Sequence, residues 1–214
     1  MKTASILCLV LLPLSLTFTP LHAGPIIVPQ SAVMQEIEHS PFAKGQMEFQ
    51  ALTGAFFSFS PDSSDRPDIN HSLTSWRIGW MLNDPTGTGF FRGNSELLLE
   101  GFFGKVFEGA GDYLGGATLQ LRYNFVQPDA RFVPYIQIGA GGFYSDIYKD
   151  QSQRLIGKSV SINLQTAIGI RYLLSDTWAL SLEGGYRHVS NPGTSERNRG
   201  LDSLGMQLGF CRFF

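Results

Sequence analysis

Cysteine is almost absent from this chain, which contains two in 214 residues. One of them, Cys8, lies in an N-terminal stretch that we expect to be removed, so Cys211 would remain alone. A single cysteine cannot form an intrachain disulfide, and it cannot supply the paired cysteines of most zinc sites. The sequence therefore predicts neither a disulfide-stabilised fold nor a cysteine-based metal centre.

Long apolar runs are missing beyond the first 23 residues. Within that segment Lys2 precedes an apolar run from Ile6 to Leu16, and Ala23 supplies a small residue for cleavage. This layout is typical of a secretory signal peptide, and the run is too short to cross a bilayer as a helix. We therefore expect residues 1–23 to be a signal peptide and predict no transmembrane helix in the remainder.

Charge and histidine are also scarce. Charged residues make up 16% of the chain and leave a formal net charge of −2, so the basic face that nucleic-acid binding requires is not indicated. Beyond the predicted signal peptide the histidines are His39, His71 and His188, which are far apart in the sequence. We predict no metal site, because no ligand spacing links them.

Glycine, aromatic residues and two-residue alternation are plentiful instead, with 24 Gly, 17 Phe, 7 Tyr and 3 Trp. In the segment 74–82, Trp76, Ile78 and Trp80 fall on one face while Ser75 and Arg77 fall on the other. Such alternation is typical of a β-strand with two different surroundings. The segments predicted as strands are 46–59, 72–83, 89–107, 113–126, 132–147, 159–173, 178–190 and 202–214.

The polar face of these strands decides between a soluble β-sandwich and a membrane β-barrel. A sandwich packs apolar faces together, whereas a narrow barrel can fill its lumen with ion pairs and turn its apolar face to lipid. We therefore predict an all-β fold, an eight-stranded antiparallel transmembrane β-barrel over residues 46–214. The inferred lumen charges are Glu48, Glu96, Glu100, Glu183, Arg77, Arg122, Arg171 and Arg187.

The connections support the barrel. Segments 60–71, 148–158 and 191–201 are long and polar, and most connections between them are short, as in barrels with short periplasmic turns and longer outer loops. An even strand number would place both termini in the periplasm, with residues 24–45 as a periplasmic lead-in. The last strand ends on Phe214, which resembles the signal read by the assembly machinery of the bacterial outer membrane.

One polar group falls on the face that should meet lipid. His188 and Ser190 are two residues apart on the seventh strand and share the parity of its apolar residues, as Asp202 does on the eighth. A serine hydrolase needs a nucleophile, a base and an acid that orients the base. Because polar groups facing lipid are costly, we predict catalysis at the outer rim, with ordinary solvated loop residues as the alternative.

Two segments resemble a known family. Tyr186–Asn191 and Asn198–Gly205 are similar to the C-terminal signature of the PagL-type lipid A 3-O-deacylases. The resemblance implies hydrolysis of the acyl ester at the 3-position of lipid A, without a metal or an organic cofactor. It implies lipid A, or lipopolysaccharide, and the outer-membrane bilayer as partners, and it leaves a homodimer open.

The resemblance also implies residue roles. Ser190 would be the nucleophile and His188 the base, with an acid on the last strand orienting the histidine. The oxyanion hole would combine the backbone N–H of Asn191 with the side chain of Asn198. We assign the orienting acid to Asp202.

Two positions depart from the family pattern. Asp202 stands where the best-known members have Glu, and Pro192 stands where a small residue is commoner. Because Asp is one methylene shorter than Glu, Glu196 is kept as the alternative orienting acid.

Two other functions stay open at the level of sequence. A non-catalytic structural or adhesive barrel would need no polar trio, and a phospholipid acyl hydrolase would use the same one. The basic loop residues Lys149, Arg154 and Lys158 either bind lipid A phosphates or belong to a solvated loop.

Overall fold

A computed structural model describes residues 40–61 and 66–214 of the chain. The predicted signal peptide, residues 24–39 of the lead-in and His39 lie outside the described residues. The strands are β1 Met47–Phe59, β2 Asn70–Met81, β3 Asn94–Glu108, β4 Tyr113–Asn124, β5 Phe132–Ser145, β6 Val160–Leu173, β7 Trp178–Ser190 and β8 Leu201–Phe213. Short 3₁₀ turns occupy Gly89–Phe91 and Ile147–Lys149.

The sheet closes into a barrel. Each strand pairs antiparallel with the next, and β1 pairs with β8 from Glu48 opposite Phe213 to Phe59 opposite Asp202. The predicted eight-stranded antiparallel barrel is therefore confirmed. Because β1 begins beside the end of β8, both lie at the same end of the barrel. Within the described ranges, no helix has the length and apolar character needed to cross a bilayer.

The largest error in the predicted boundaries is at the start of β3. We predicted a strand from residue 89, but the strand begins at Asn94. Gly87 and Gly89 have positive φ angles of 95° and 58°, and the chain forms a 3₁₀ turn before it becomes extended. Phe90 and Phe91 are adjacent in this turn and break the two-residue alternation, so the sequence did contain a signal for the later start of β3. His71, which the sequence placed at a loop end, lies buried within β2.

The middle of the barrel is filled by buried ion pairs, as predicted. Toward the end that holds the start of β1, Arg171 Nη2 lies 2.6 Å from Glu48 Oε1 and Arg122 Nη1 lies 2.9 Å from the same oxygen. Further along the axis, Arg77 Nη1 lies 2.8 Å from Glu183 Oε2. Removing one partner of such a pair would leave a buried charge uncompensated, which costs about 3–5 kcal/mol. The charges therefore fix which strand faces sit inside.

Apolar clusters close both ends of the lumen. At the end that holds the β5–β6 connection, Leu155 and Ile156 of that connection pack in one cluster with Phe56 and Phe102. At the other end Phe42, which precedes β1, packs with residues such as Met81, Cys211 and Phe213. The described part of the lead-in is thus part of the barrel plug. The lumen is a packed core in the described structure, as expected for a barrel of this size.

The outer wall is apolar. Alternate residues of every strand expose aliphatic and aromatic side chains, with Arg212 as an exception whose guanidinium lies 5.5 Å from the rings of Trp178 and Phe214. Contact with aromatic rings at the wall suits a long cation that reaches toward lipid headgroups. Large exposed residues of the wall are Trp76, Ile78, Leu99, Phe103, Leu119, Ile138, Leu164, Ile168, Leu182, Leu204, Met206 and Leu208.

The β5–β6 connection, residues 146–159, is held from both sides. Gln153 is buried, and its amide donates to Ile156 O at 2.6 Å and accepts from Leu155 N–H at 2.7 Å. Asp146 Oδ1 accepts from the N–H groups of Asp112 and Tyr113 at 2.9 and 3.2 Å. These two hydrogen bonds, which we call the Asp146 clasp, therefore join the turn between β3 and β4 to this connection.

The Asp146 clasp should weaken in acid. Burial raises the pKa of this carboxyl, but the N–H groups of Asp112 and Tyr113, together with the Lys149 ammonium, hold the pKa below its usual value. The stabilisation is therefore complete above about pH 4, the ordinary value for Asp, and is lost as the pH falls through the lower folded value. We expect hydrogen exchange of residues 146–159, corrected for intrinsic rates, to accelerate in that acidic range.

Asp146→Asn should accelerate the same exchange about tenfold at pH 7, because hydrogen bonds to a charged acceptor contribute about 1.5–3 kcal/mol. Asp176→Asn, in a turn at the opposite end of the barrel, is the control. Equal protection of the loop in Asp146→Asn and wild type would rule out the clasp.

Candidate active site

His188 and Asp202 meet across two neighbouring strands. They are directly opposite each other in the β7–β8 register, and His188 Nδ1 lies 2.7 Å from Asp202 Oδ1. Residues paired in this way have Cβ atoms about 4.5–5.5 Å apart, which a short acid can bridge. The missing methylene of Asp relative to Glu is thus no obstacle to the contact. Glu196 is exposed in the following loop and makes no contact with His188 in the described structure.

The Asp202 carboxylate is more enclosed than the sequence predicted. Its backbone has the outward parity of Leu204 and Met206, but its side chain is only 6% exposed, against 31% for His188. The Tyr186 hydroxyl donates to Asp202 Oδ1 at 2.6 Å, and Arg66 Nη1 lies 3.4 Å from Oδ2. The acid is therefore on the outer wall, as predicted, but covered by protein and not by lipid.

Sequence reasoning missed both Tyr186 and Arg66. Tyr186 has the parity of the apolar residues of β7, and its position two residues before His188 places it on the same face. Arg66 comes from the β1–β2 connection, and no local pattern connects it with β8. Only closure of the sheet between β1 and β8 brings that connection beside Asp202.

Ser190 is the last residue of β7, half-buried and on the same face as His188. It lies opposite Ile162 of β6 in the register. Within residues 40–61 and 66–214, no hydrogen bond joins the Ser190 hydroxyl to His188. The structure therefore brings His188 and Asp202 together and leaves Ser190 and His188 as neighbours on one face. Such nucleophile–base contacts often tighten only around a substrate.

The two asparagines predicted for the oxyanion hole contact each other. The backbone N–H of Asn191 donates to Asn198 Oδ1. This bond leaves the Asn198 amide nitrogen free to point away from Asn191. The asparagines are held together although Pro192 follows Asn191 and lacks a backbone N–H.

The side chain of Asn191 has a different task. Its Oδ1 accepts from Gly157 N–H at 3.0 Å, and its Nδ2 donates to Val160 O and Ser161 Oγ at 2.8 and 2.9 Å. All of its hydrogen-bonding groups are used, so it ties the end of β7 to the start of β6. This structural role was not foreseen from the sequence.

The loop after β7 is anchored by its arginines. Arg197 donates to the carbonyls of Tyr148 and Asp150 at 3.0 and 2.8 Å, and Arg199 N–H donates to Arg154 O at 3.1 Å. Residues 191–200 and 146–159 therefore form one connected surface above Ser190.

Gly200 comes close to the catalytic histidine candidate. It has a positive φ of 80°, and a Cβ built at this position would lie 2.7 Å from His188 Cε1. A side chain here would thus both strain the backbone and displace the imidazole.

An apolar groove runs along the outer wall next to the trio. Its volume is about 340 Å³, and Tyr186 contributes to its lining together with β6 and β8 residues. Gly184 leaves open space, because a Cβ there would meet nothing within 4 Å. The lining consists of Thr166, Ala167, Ile168, Gly184, Gly185, Tyr186, Leu204 and Gly205.

A larger cavity, of about 530 Å³, lies at the other end of the barrel. The turns that line it contribute Pro85, Arg92 and Asp129, and it contains none of the trio. The smaller groove is the one that adjoins the polar trio on the wall. The site is therefore identified by its polar residues and not by cavity volume.

Comparison with known proteins points to one family. The model of the family described as lipid A 3-O-deacylase (PagL) matches residues 69–210, a span that includes His188, Ser190 and Asp202. No sequence relative was found among curated proteins.

Solved structures with the same fold include an enzyme and other barrels. The outer membrane enzyme PagL is 17% identical, with 76% of this chain and 97% of that chain covered and a TM-score of 0.53. Neisserial surface protein A is 14% identical, with 79% and 99% covered and a TM-score of 0.57. The N-terminal barrel of Pseudomonas aeruginosa OprF is 14% identical, with 80% and 98% covered and a TM-score of 0.51. At these identities the likeness concerns the fold alone.

Gly200→Ala should reduce the ester hydrolase activity predicted for the trio while the barrel still folds. The left-handed backbone costs an L-residue about 1–3 kcal/mol, and the new methyl group must push the His188 ring. Since a displacement near 1 Å can cost about 10²-fold in rate, we expect kcat to fall between about 10- and 100-fold.

Gly45→Ala is the matched control, because Gly45 has a φ of 86° but open space around it at the other end of the barrel. Similar losses of kcat in both variants would mean that backbone strain, and not the contact with His188, is responsible.

Proposed function

The chain belongs to the lipid A 3-O-deacylase (PagL) family, and from that membership we propose that it works as a serine esterase at the outer leaflet of the outer membrane. Its substrate is lipid A, and the bond cleaved is the acyl ester at the 3-position. Ser190 is the nucleophile, His188 the base and Asp202 the acid that orients the base. The observation that carries this assignment is the 2.7 Å His188–Asp202 contact on the outer wall, beside Ser190.

The chemistry follows from the position of the proton on the imidazole. When Nδ1–H donates to Asp202, the other ring nitrogen is free to accept the proton of the Ser190 hydroxyl as the oxygen attacks the ester carbonyl. The tetrahedral intermediate collapses, and the 3-oxygen of the sugar leaves as an alcohol after it receives that proton from His188. Water, activated by His188, then releases the fatty acid from Ser190.

The oxyanion would be stabilised by the Asn191 N–H and the Asn198 side-chain amide. The hydrogen bond between these residues orients Asn198 and keeps the two donors side by side. To bind the oxyanion, the Asn191 N–H must be released by Asn198 or shared with it. Loss of one such donor costs about 10²–10³ in kcat.

The location of the trio fits a substrate that arrives laterally in the membrane. We propose that the start of β1 and the end of β8 face the periplasm; Ser190 and Asp202, at the opposite end of the wall, then lie at the outer leaflet. The apolar groove beside Tyr186 is a surface that the released acyl chain can contact. Membrane lipid would cover this surface when no substrate is bound. One chain supplies the whole trio, so a homodimer is not needed for this mechanism.

Two rival functions differ from this one in specific ways. A non-catalytic structural or adhesive barrel would have the same fold, so the fold does not separate it from a deacylase. The family match and the His188–Asp202 contact favour the enzyme. A phospholipid acyl hydrolase would use the same trio, and only the products separate it from a lipid A deacylase.

Mass spectrometry of lipid A from cells that express each variant tests the assignment. Wild type should remove one 3-linked hydroxyacyl chain. Ser190→Ala and His188→Ala should lower the rate by about 10³ or more, and Asp202→Asn by about 10²–10⁴, because it loses the acceptor that fixes the histidine tautomer.

Ser175→Ala, in a turn at the opposite end, should behave as wild type. An unchanged lipid A profile with a folded wild-type barrel would refute the deacylase proposal. Loss of phospholipid acyl chains instead would favour the phospholipid hydrolase. Full activity of Asp202→Asn would remove Asp202 from the mechanism.

Filling the groove should change which acyl chains are accepted. Gly184→Leu places an apolar side chain in the open space of the groove without a clash in the barrel. We expect release of long 3-linked chains to fall about tenfold or more while shorter chains are still released. Gly101→Leu, which also meets open space but lies on β3, is the control. Equal chain-length profiles in both variants would show that the groove does not hold the acyl chain.

A further inference from the structure

Arg66 reaches the active site from a distant part of the chain. It belongs to the β1–β2 connection and lies outside residues 69–210, so the family match assigns it no role. Its side chain is 11% exposed, and its Nη1 lies 3.4 Å from Oδ2 of Asp202. An exposed ion pair would contribute little, but this pair is largely enclosed and contacts the proposed orienting acid.

The two oxygens of Asp202 have separate partners. Oδ1 receives His188 Nδ1–H and the Tyr186 hydroxyl, whereas Oδ2 faces Arg66. The terminal torsion of an aspartate is broad, so a carboxylate held from one side only can turn away from its histidine. With a donor on each oxygen, the carboxylate plane is fixed toward His188.

The same guanidinium also fixes backbone beneath the imidazole. Arg66 Nη1 donates to Arg199 O at 2.9 Å and lies 3.4 Å from Gly200 O. Gly200 is the residue at which a Cβ would lie 2.7 Å from His188 Cε1, and Asn198 is two residues before it. One cation thus connects the orienting acid with the loop that carries a proposed oxyanion donor.

We propose that Arg66 is a positioning residue of the deacylase, which holds the Asp202 carboxylate and the 199–200 backbone in the arrangement that orients His188. The inference rests on the proposed function of Ser190, His188 and Asp202. Arg66 acts through geometry and not through its charge, because a positive charge near His188 by itself opposes formation of the imidazolium.

The test compares Arg66→Met, Arg66→Gln and Arg66→Lys, each in the wild-type and the Asp202→Asn backgrounds. Folded barrels, verified by heat-modifiable mobility on gels, are assayed with purified lipid A by mass spectrometry to obtain kcat and KM. We expect Arg66→Met to lower kcat about 10- to 100-fold with KM changed less than about threefold, because alignment and not binding is lost. Arg66→Lys should recover part of kcat.

Coupling to Asp202 is the decisive result. Residues that act through one another are not additive, so Arg66→Met should change kcat less than about threefold when Asp202 is already Asn. Equal losses in both backgrounds would overturn the proposal, as would wild-type kcat in Arg66→Met. A rise in KM at unchanged kcat would also overturn it, because Arg66 would then bind substrate. Arg66→Gln carries the same test if Arg66→Met does not fold.

Two further measurements separate this inference from the proposed function. Arg131→Met, at an exposed position in the β4–β5 turn at the opposite end of the barrel, should match wild type. If wild type released no 3-linked chain, or if Ser190→Ala were fully active, the proposed function would fail whatever Arg66 does. If those controls behave as expected and Arg66→Met equals wild type, only the positioning role fails.

Discussion

Closure of the sheet between β1 and β8 is the constraint on which the rest of this molecule depends. A chain in a bilayer must satisfy its backbone hydrogen bonds internally, and a closed barrel does so without leaving an edge. Closure divides every strand into an inner and an outer face. The inner face must fill a narrow space, which the glutamate–arginine pairs and the two apolar plugs achieve. The outer face must be apolar, so a polar group on it costs free energy and indicates a function.

The proposed active site depends on the separation of the inner and outer faces of the strands. His188 and Ser190 lie on the lipid side of the wall, where a lipid substrate can reach them without entering the barrel. Asp202 shares the face but is covered by Tyr186 and Arg66, which keeps its carboxylate among hydrogen-bond donors. The lumen charges below are a separate set that stabilises the arrangement of strands, and they take no part in the proposed chemistry.

The fold and the function come from different residues. Neisserial surface protein A and the OprF barrel have the same strand plan as this chain, so eight strands do not indicate an enzyme. The proposed function rests instead on a few polar residues at one rim and on the loops beside them. Residues 146–159 and 191–200 are bound to each other by arginine and asparagine side chains, and this common surface fixes Asn191, Asn198 and Gly200 around the trio.

The sequence by itself determined the strands, their inward charges and the shared face of His188, Ser190 and Asp202, because two-residue alternation is a local property that every strand displays. The predicted start of β3 is too early, because glycines with positive φ form a 3₁₀ turn where an extended strand was expected. Only the tertiary structure decided that Asp202, and not Glu196, contacts His188, because that depends on the β7–β8 register. Tyr186 became a partner of Asp202 through the same register. Arg66 entered the site through barrel closure, a contact across 136 positions that no local pattern encodes.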